Sequence, residues 1–105
     1  MIVTKTARYT ESTIDEHSAV AAVTGKKIRV VGFVGYTKET VAFTFQSAEG
    51  VGATALFGPV ETSEKQLIVV NPEQGYLFET VAGEALFINQ ETAKALELII
   101  NYVEV

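Results

Sequence analysis

Apolar and polar residues alternate along most of this chain, and turn-forming residues interrupt the alternation about every eight to twelve positions. Alternation puts successive side chains on opposite faces of an extended strand, so it predicts strands with one buried face. Regularly spaced turns favour a sandwich or a barrel. We therefore expect an all-β protein of about eight or nine strands, arranged as an antiparallel β-sandwich, either a jelly roll or a related fold.

Two neighbouring segments have the clearest strand patterns. Within residues 40–48, Val41, Phe43 and Phe45 are predicted to point inward. Residues 27–36 precede them across a short turn, so we expect the two segments to form a hairpin. Strict alternation would put one set of side chains of the earlier segment on one face (Ile28, Val30, Gly32, Val34 and Tyr36) and the rest on the other (Arg29, Val31, Phe33 and Gly35). Two glycines in one strand indicate a bulge or a close approach of another backbone.

The remaining segments predict shorter strands joined by polar connections. Strands are expected over residues 2–9, 18–23, 53–57, 66–70, 76–80, 85–89 and 96–105. Gly58-Pro59 is expected to end one of them, and residues 90–95 favour a single helical turn. A chain of 105 residues has the length of one domain, so residues 1–105 are interpreted as one sandwich. Residues 1–16 form either an N-terminal strand or an arm, followed by a loop.

Composition argues against several classes of protein. The chain has no cysteine, which excludes disulfides and thiolate chemistry. A net charge of −5 disfavours nucleic-acid binding, because a phosphate backbone would be repelled. No apolar run approaches the roughly 18–20 residues that a membrane span needs, so no membrane is expected as a partner. Polar residues follow the N-terminus too early for a signal peptide, so we expect synthesis in the cytoplasm.

No residue pattern points to catalysis or to a cofactor. His17 is the only histidine, and it lies in a polar segment where a solvated side chain is the simplest expectation. The acidic pair Asp15-Glu16 lacks the spacing of a calcium loop. Residues 50–55 fit a loose dinucleotide-binding pattern, but Gly58-Pro59 follows too soon for the helix that such a site requires. The sequence therefore predicts no enzyme, no metal site and no cofactor.

Two strands have more apolar residues than one buried face needs. In the segment from residue 27, the face opposite Ile28 and Val30 still has Val31 and Phe33. In the last strand, the face opposite Leu98 and Ile100 has Ile99, Val103 and Val105. Either a loop or neighbouring segment covers these residues, or they form a protein–protein interface. The candidate interface residues are Val31, Phe33, Ile99, Val103 and Val105.

Residues 17–105 resemble a group of small virion proteins of tailed bacteriophages. The matching pieces are residues 22–31 (AVTGKKIRVV), 41–50 (VAFTFQSAEG) and 77–89 (LFETVAGEALFIN), followed by a last strand that contains a tyrosine. The resemblance is to head decoration, or cement, proteins. It implies a jelly-roll capsid protein on the outer surface of the virion. It further implies that the protein binds the major capsid protein, associates with itself as a dimer or trimer and stabilises contacts between capsid subunits. The family implies no catalytic residues.

A second function remains open from the residues. A phage tail or fibre module could bind a host-surface carbohydrate through an aromatic platform formed by Tyr36, Tyr76 and Phe78. The absence of tryptophan, the commonest residue in such platforms, weighs against this reading.

Overall fold

The computed structural model describes residues 3–105, and this part of the chain forms nine β-strands in two antiparallel sheets. The strands are β1 (Lys5–Glu11), β2 (Asp15–Val20), β3 (Ile28–Thr37), β4 (Ala42–Ser47), β5 (Thr54–Glu61), β6 (Gln66–Val70), β7 (Phe78–Glu79), β8 (Leu86–Gln90) and β9 (Leu96–Glu104). A single 3-10 turn, Gly50–Gly52, is the helical element of the described residues. The predicted all-β sandwich is confirmed.

The strand order is that of a jelly roll. One sheet runs β1-β9-β3-β6, with β7 pairing further along β3, and the other runs β2-β8-β4-β5. The chain therefore forms nested antiparallel pairs, β1 with β9, β2 with β8, β3 with β6 and β4 with β5. The two strands of each outer pair are separated by a longer stretch of sequence than the two strands of the pair nested inside it. This nesting distributes alternate pairs between the two layers of the sandwich.

The predicted hairpin of residues 27–36 and 40–48 is wrong. β3 lies in the first sheet and β4 in the second, where β4 pairs with β5 and β8. The segment between them crosses from one layer to the other. Alternation identifies which side chains point inward, but it does not identify the strand to which a given strand is hydrogen-bonded. Two consecutive strands in opposite layers of a sandwich therefore give the same sequence pattern as two strands paired in a hairpin.

A β-bulge in β3 reverses the predicted faces of its second half. Val30 pairs with Tyr102 and Gly32 pairs with Asn101, so Val31 is an extra residue without a counterpart in β9. Beyond the bulge Phe33 points inward and is completely buried. The interface prediction for Phe33 is therefore wrong, because one inserted residue changes which face every later side chain occupies. The bulge that the two glycines indicated is present.

Aromatic side chains from both sheets form the centre of the core. Phe33 of the first sheet meets Phe45 of the second with ring centroids 5.0 Å apart, and Phe45 lies 4.9 Å from Phe78. Phe57 stacks on Phe78 at 5.5 Å. The inward positions predicted for Val41, Phe43 and Phe45 are confirmed, since all three side chains are fully buried. Aromatic contacts of this kind join the layers across the whole thickness of the sandwich.

Several strand boundaries differ from the predictions. The second strand covers Asp15–Val20 rather than 18–23, and only Phe78–Glu79 of the segment 76–80 is a strand. β5 continues past Gly58-Pro59 to Glu61 with irregular register, and residues 90–95 form no helix. The prediction for Ile2 lies outside the described residues. No helix within residues 3–105 is long and apolar enough to span a membrane.

A buried glutamine joins the two sheets at one end of the sandwich. The Gln90 amide nitrogen donates to the carbonyl oxygens of Lys94 and Thr92, at 2.6 and 3.2 Å. The Tyr9 hydroxyl donates to the Gln90 side-chain oxygen at 3.0 Å. Burial, with a smaller contribution from Glu11, raises the pKa of Tyr9 well above its ordinary value, so the hydroxyl keeps its proton. Because the polar atoms of Gln90 are hydrogen-bonded, its burial is tolerated.

Gly35 lies where β3 and β9 approach closely, and this contact yields a testable prediction. A Cβ atom at Gly35 would lie 2.4 Å from Leu98 Cδ2 and 3.0 Å from the Glu97 carbonyl oxygen. We expect Gly35→Ala to lower the free energy of unfolding by about 1–3 kcal/mol, the usual cost of overpacking. Urea denaturation measures the difference. Gly52→Ala is the control, because a Cβ atom there would have no neighbour within 4 Å. Equal stability of the two variants would contradict the close approach.

Candidate protein-interaction surface

The outer side of the first sheet presents an apolar cluster to solvent. In the strand register, Ile99, Val34 and Val69 lie side by side across β9, β3 and β6. In the next row, Tyr36 lies between Glu97 and Leu67. We call the five apolar members of these two rows the exposed apolar face: Val34, Tyr36, Leu67, Val69 and Ile99.

These side chains are exposed together rather than singly. Leu67 is 66% exposed, Val69 57%, Ile99 42% and Tyr36 41%. Directly opposed residues in an antiparallel ladder have Cβ atoms about 4.5–5.5 Å apart, so the cluster is continuous across three strands. Single exposed apolar residues are ordinary, whereas contiguous exposed patches mark interaction sites.

Polar residues border the exposed apolar face. Arg8 and Thr10 of β1 lie beyond Ile99 and Glu97, in the same two rows. Depressions of about 130 and 190 Å³ lie between Tyr36, Glu97 and their neighbours. Both are smaller than the roughly 300 Å³ at which small-molecule sites begin, so the geometry favours side chains of a protein partner over a cofactor.

The other end of the same outer surface is charged. The Arg29 guanidinium lies 2.9 Å from a Glu79 carboxylate oxygen, and Lys27 Nζ lies 3.4 Å from the other. Arg29 also stacks over the Tyr76 ring, 4.2 Å from its centroid. Burial alone would raise the pKa of Glu79, but the hydrogen bond from Arg29 and the nearby charge of Lys27 outweigh it and hold the pKa below its ordinary value. These contacts attach β7 to β3.

The structure separates the five interface residues predicted from the sequence. Ile99 belongs to the exposed apolar face, whereas Phe33 belongs to the core. Val103 lies opposite Arg29 and is only 9% exposed. Val31 is the bulged residue and is half-buried. Val105 is also half-buried, and its backbone exchanges two hydrogen bonds with Lys27.

Sequence reasoning missed most of the exposed apolar face. Leu67 and Val69 were available from the pattern, because residues 67–70 are apolar at every position and so supply both faces of β6. Apolar residues on both faces of a strand are the same signal that pointed to β3 and β9 as candidate interface strands. Val34 and Tyr36 could not be found by alternation alone, because the bulge at Val31 moves them outward.

The His17 side chain contacts the turn before its own strand. Its Nε2 atom lies 3.0 Å from the carbonyl oxygen of Thr13 and 3.1 Å from the Thr13 hydroxyl. Both contacts attach the imidazole ring to the turn that precedes β2. The Glu11 carboxylate is 3.9 Å from Nδ1, too far for a hydrogen bond. Within residues 3–105, no three His, Asp or Glu side chains are grouped closely enough to hold a metal ion.

The three aromatic residues considered for sugar binding do not form a platform. Phe78 is buried in the core, and Arg29 occupies one face of the Tyr76 ring. Arg29 and Tyr36 occupy opposite ends of β3, about 20 Å apart at the rise of an extended strand. A carbohydrate could therefore not stack on all three rings.

The Glu79 ion pairs predict a specific dependence of stability on pH. A carboxylate whose folded pKa is lowered stabilises the fold above its unfolded pKa, near 4.5, and loses that contribution as pH falls through the folded value. We expect Glu79→Gln to be less stable than wild type at pH 7, with the difference shrinking below pH 4.5. Urea denaturation at several pH values measures it. Glu73→Gln, in an exposed turn, controls for the change in net charge. A difference that is constant with pH would exclude a stabilising role for the ionised carboxylate.

Comparisons of the chain with models of known families, with curated proteins and with solved structures found no match.

Proposed function

We propose that this protein decorates the outer surface of a tailed-bacteriophage head, where it binds the major capsid protein and stabilises contacts between capsid subunits. The exposed apolar face is the observation on which the binding proposal depends. It presents four side chains that are each more than 40% exposed, on a rigid sheet rather than on loops. Because the strands fix its shape, a partner could bind it with little ordering of the chain.

The phage assignment comes from the resemblance of residues 17–105 to head decoration proteins. The jelly-roll strand order agrees with what that resemblance implies for the fold. Fold alone does not determine function, since the same sandwich supports many roles. The exposed apolar face adds the physical requirement of a decoration protein, a fixed surface that can be buried against another protein.

The proposed role needs contact area and many copies rather than chemistry. A surface of a few apolar side chains gives a modest affinity for one site. A shell offers many equivalent sites, and a protein that contacts two subunits at once gains from the high effective concentration of the second contact. Bridging of this kind would resist separation of the subunits.

A matched pair of isoleucine variants tests the binding surface. Ile99 is 42% exposed on the apolar face, and Ile14 is 63% exposed on the turn between β1 and β2. We expect Ile99→Asp to weaken co-sedimentation with phage heads assembled without this protein about tenfold or more, since it places a charge inside an apolar contact. Ile14→Asp should bind as wild type does.

The outcomes separate the two parts of the proposal. Both variants should keep the wild-type circular dichroism spectrum, because both side chains are exposed. Wild-type protein that does not sediment with the heads would overturn the decoration role. Equal loss or equal retention of binding in the two variants would instead place the contact outside the exposed apolar face.

A further inference from the structure

β6 forms one edge of the first sheet, next to the exposed apolar face. It pairs with β3 along Phe33 to Thr37, and no strand of the described chain pairs with its other side. β7 lies beyond β6 along the same side of β3, where it meets Arg29 and Val30. A row of backbone groups on β6 therefore faces outward.

The hydrogen bonds between β3 and β9 show which groups these are. Lys27 and Val105 exchange both backbone hydrogen bonds, so residues at alternate positions before Val105, including Ile99 and Glu97, also direct their amide and carbonyl groups toward β3. Their partners Val34 and Tyr36 therefore bond to β9, and the intervening residues of β3 bond to Gln66, Ile68 and Val70 of β6. The amide and carbonyl groups of Leu67 and Val69 consequently point away from the sheet.

The other three edge strands have features that oppose pairing with another chain. β1 contains Lys5, Arg8 and Glu11. β2 begins with two acidic residues and has an irregular register near Ser18. β5 contains Gly58-Pro59 and two register shifts. Charges, prolines and bulges are the usual protections of a sheet edge. β6, with the sequence QLIVV, has none of them.

We propose that β6 pairs antiparallel with β6 of a second copy of this chain, about a two-fold axis at Ile68. In this register Gln66 faces Val70 of the second copy, and Ile68 faces its own equivalent. Leu67 faces Val69 of the second copy in two symmetric pairs, and their outward-pointing backbone groups form about four hydrogen bonds, two for each pair. The first sheets of the two copies become one continuous sheet.

The chemistry of β6 fits a second copy better than an unrelated extended segment. The two-fold axis places Leu67 opposite Val69 of the second copy, so two apolar side chains meet in each of two symmetric pairs. Lys65 precedes the strand and Glu73 follows it. Antiparallel pairing therefore places Lys65 of each copy at the same end of the paired strands as Glu73 of the other copy. The strand is therefore complementary to itself in polarity and in charge.

Pairing would also join the exposed apolar faces of the two copies. Leu67 and Val69 form the outer margin of each face, and they meet at the proposed axis. The doubled surface extends the proposed function, but the pairing does not depend on a phage head. It is measured with the purified chain alone, so its failure is distinct from failure of head binding.

Two double variants that differ in one residue test the register. Leu67→Lys with Val69→Lys places like charges opposite each other twice, and we expect the dimer Kd to rise about tenfold or more. Leu67→Lys with Val69→Glu places opposite charges together and should restore the dimer. Light scattering and sedimentation equilibrium measure the mass against the 11.3 kDa of one chain. Leu67→Pro, which removes an outward amide of β6 without removing a bond to β3, should also weaken the dimer.

Hydrogen exchange adds a measurement specific to the edge. We expect the amides at positions 67 and 69 to be protected in the dimer and to exchange quickly in the variant with two lysines. The amides of Gln66, Ile68 and Val70 should be protected in both, because they bond to β3. A wild-type mass that stays at the monomer value up to about 1 mM, or that corresponds to a trimer, would overturn the proposal. So would equal masses of the two double variants, or exchange at the two edge amides that does not change with dimer dissociation.

Discussion

The contact between Phe33 and Phe45 across the two layers is the constraint on which both the core and the surface depend. Phe33 reaches Phe45 only because the bulge at Val31 turns the second half of β3 inward at that position. The same shift turns Val34 and Tyr36 outward. One inserted residue therefore completes the aromatic core and supplies two of the five residues of the exposed apolar face. A change that removed the bulge would exchange the two sets of side chains.

The sequence allowed the fold class to be predicted because alternation is a local signal that burial of one face enforces. It identified the inward positions of β4 correctly, and those of β9 as well, since Leu98 and Ile100 are buried. It failed for the partner of β3, because facing strands in two layers and paired strands in one layer give the same alternation. It also failed beyond Val31, because a bulge changes the period without a compulsory residue signature. Gly32 was the available clue, and it showed that an irregularity was present but not its effect on the faces.

Polar contacts replace disulfides at the ends of this cysteine-free sandwich. Gln90 binds the turn before β9 and receives the Tyr9 hydroxyl, which ties the two sheets together at one end. At the other end, Ser47 donates to Glu84 at 2.6 Å and accepts from the Val81 amide at 2.9 Å. Short sequence patterns do not reveal the contact of Tyr9 with Gln90 or those of Ser47, because these partners are 34 to 81 residues apart in the chain.

The exposed apolar face and the unprotected edge of β6 are adjacent, and this adjacency has a physical consequence. A face of five apolar side chains is small for a stable interface, which normally buries about 800 Å² on each partner. Pairing of two chains through backbone groups of β6 leaves the outward side chains of Val34, Tyr36 and Ile99 available, because those residues belong to inner strands. Two linked faces binding a repetitive surface would act at a high effective concentration. If both proposals hold, binding to the shell would rise steeply with protein concentration, because dimer formation would precede the strong contact.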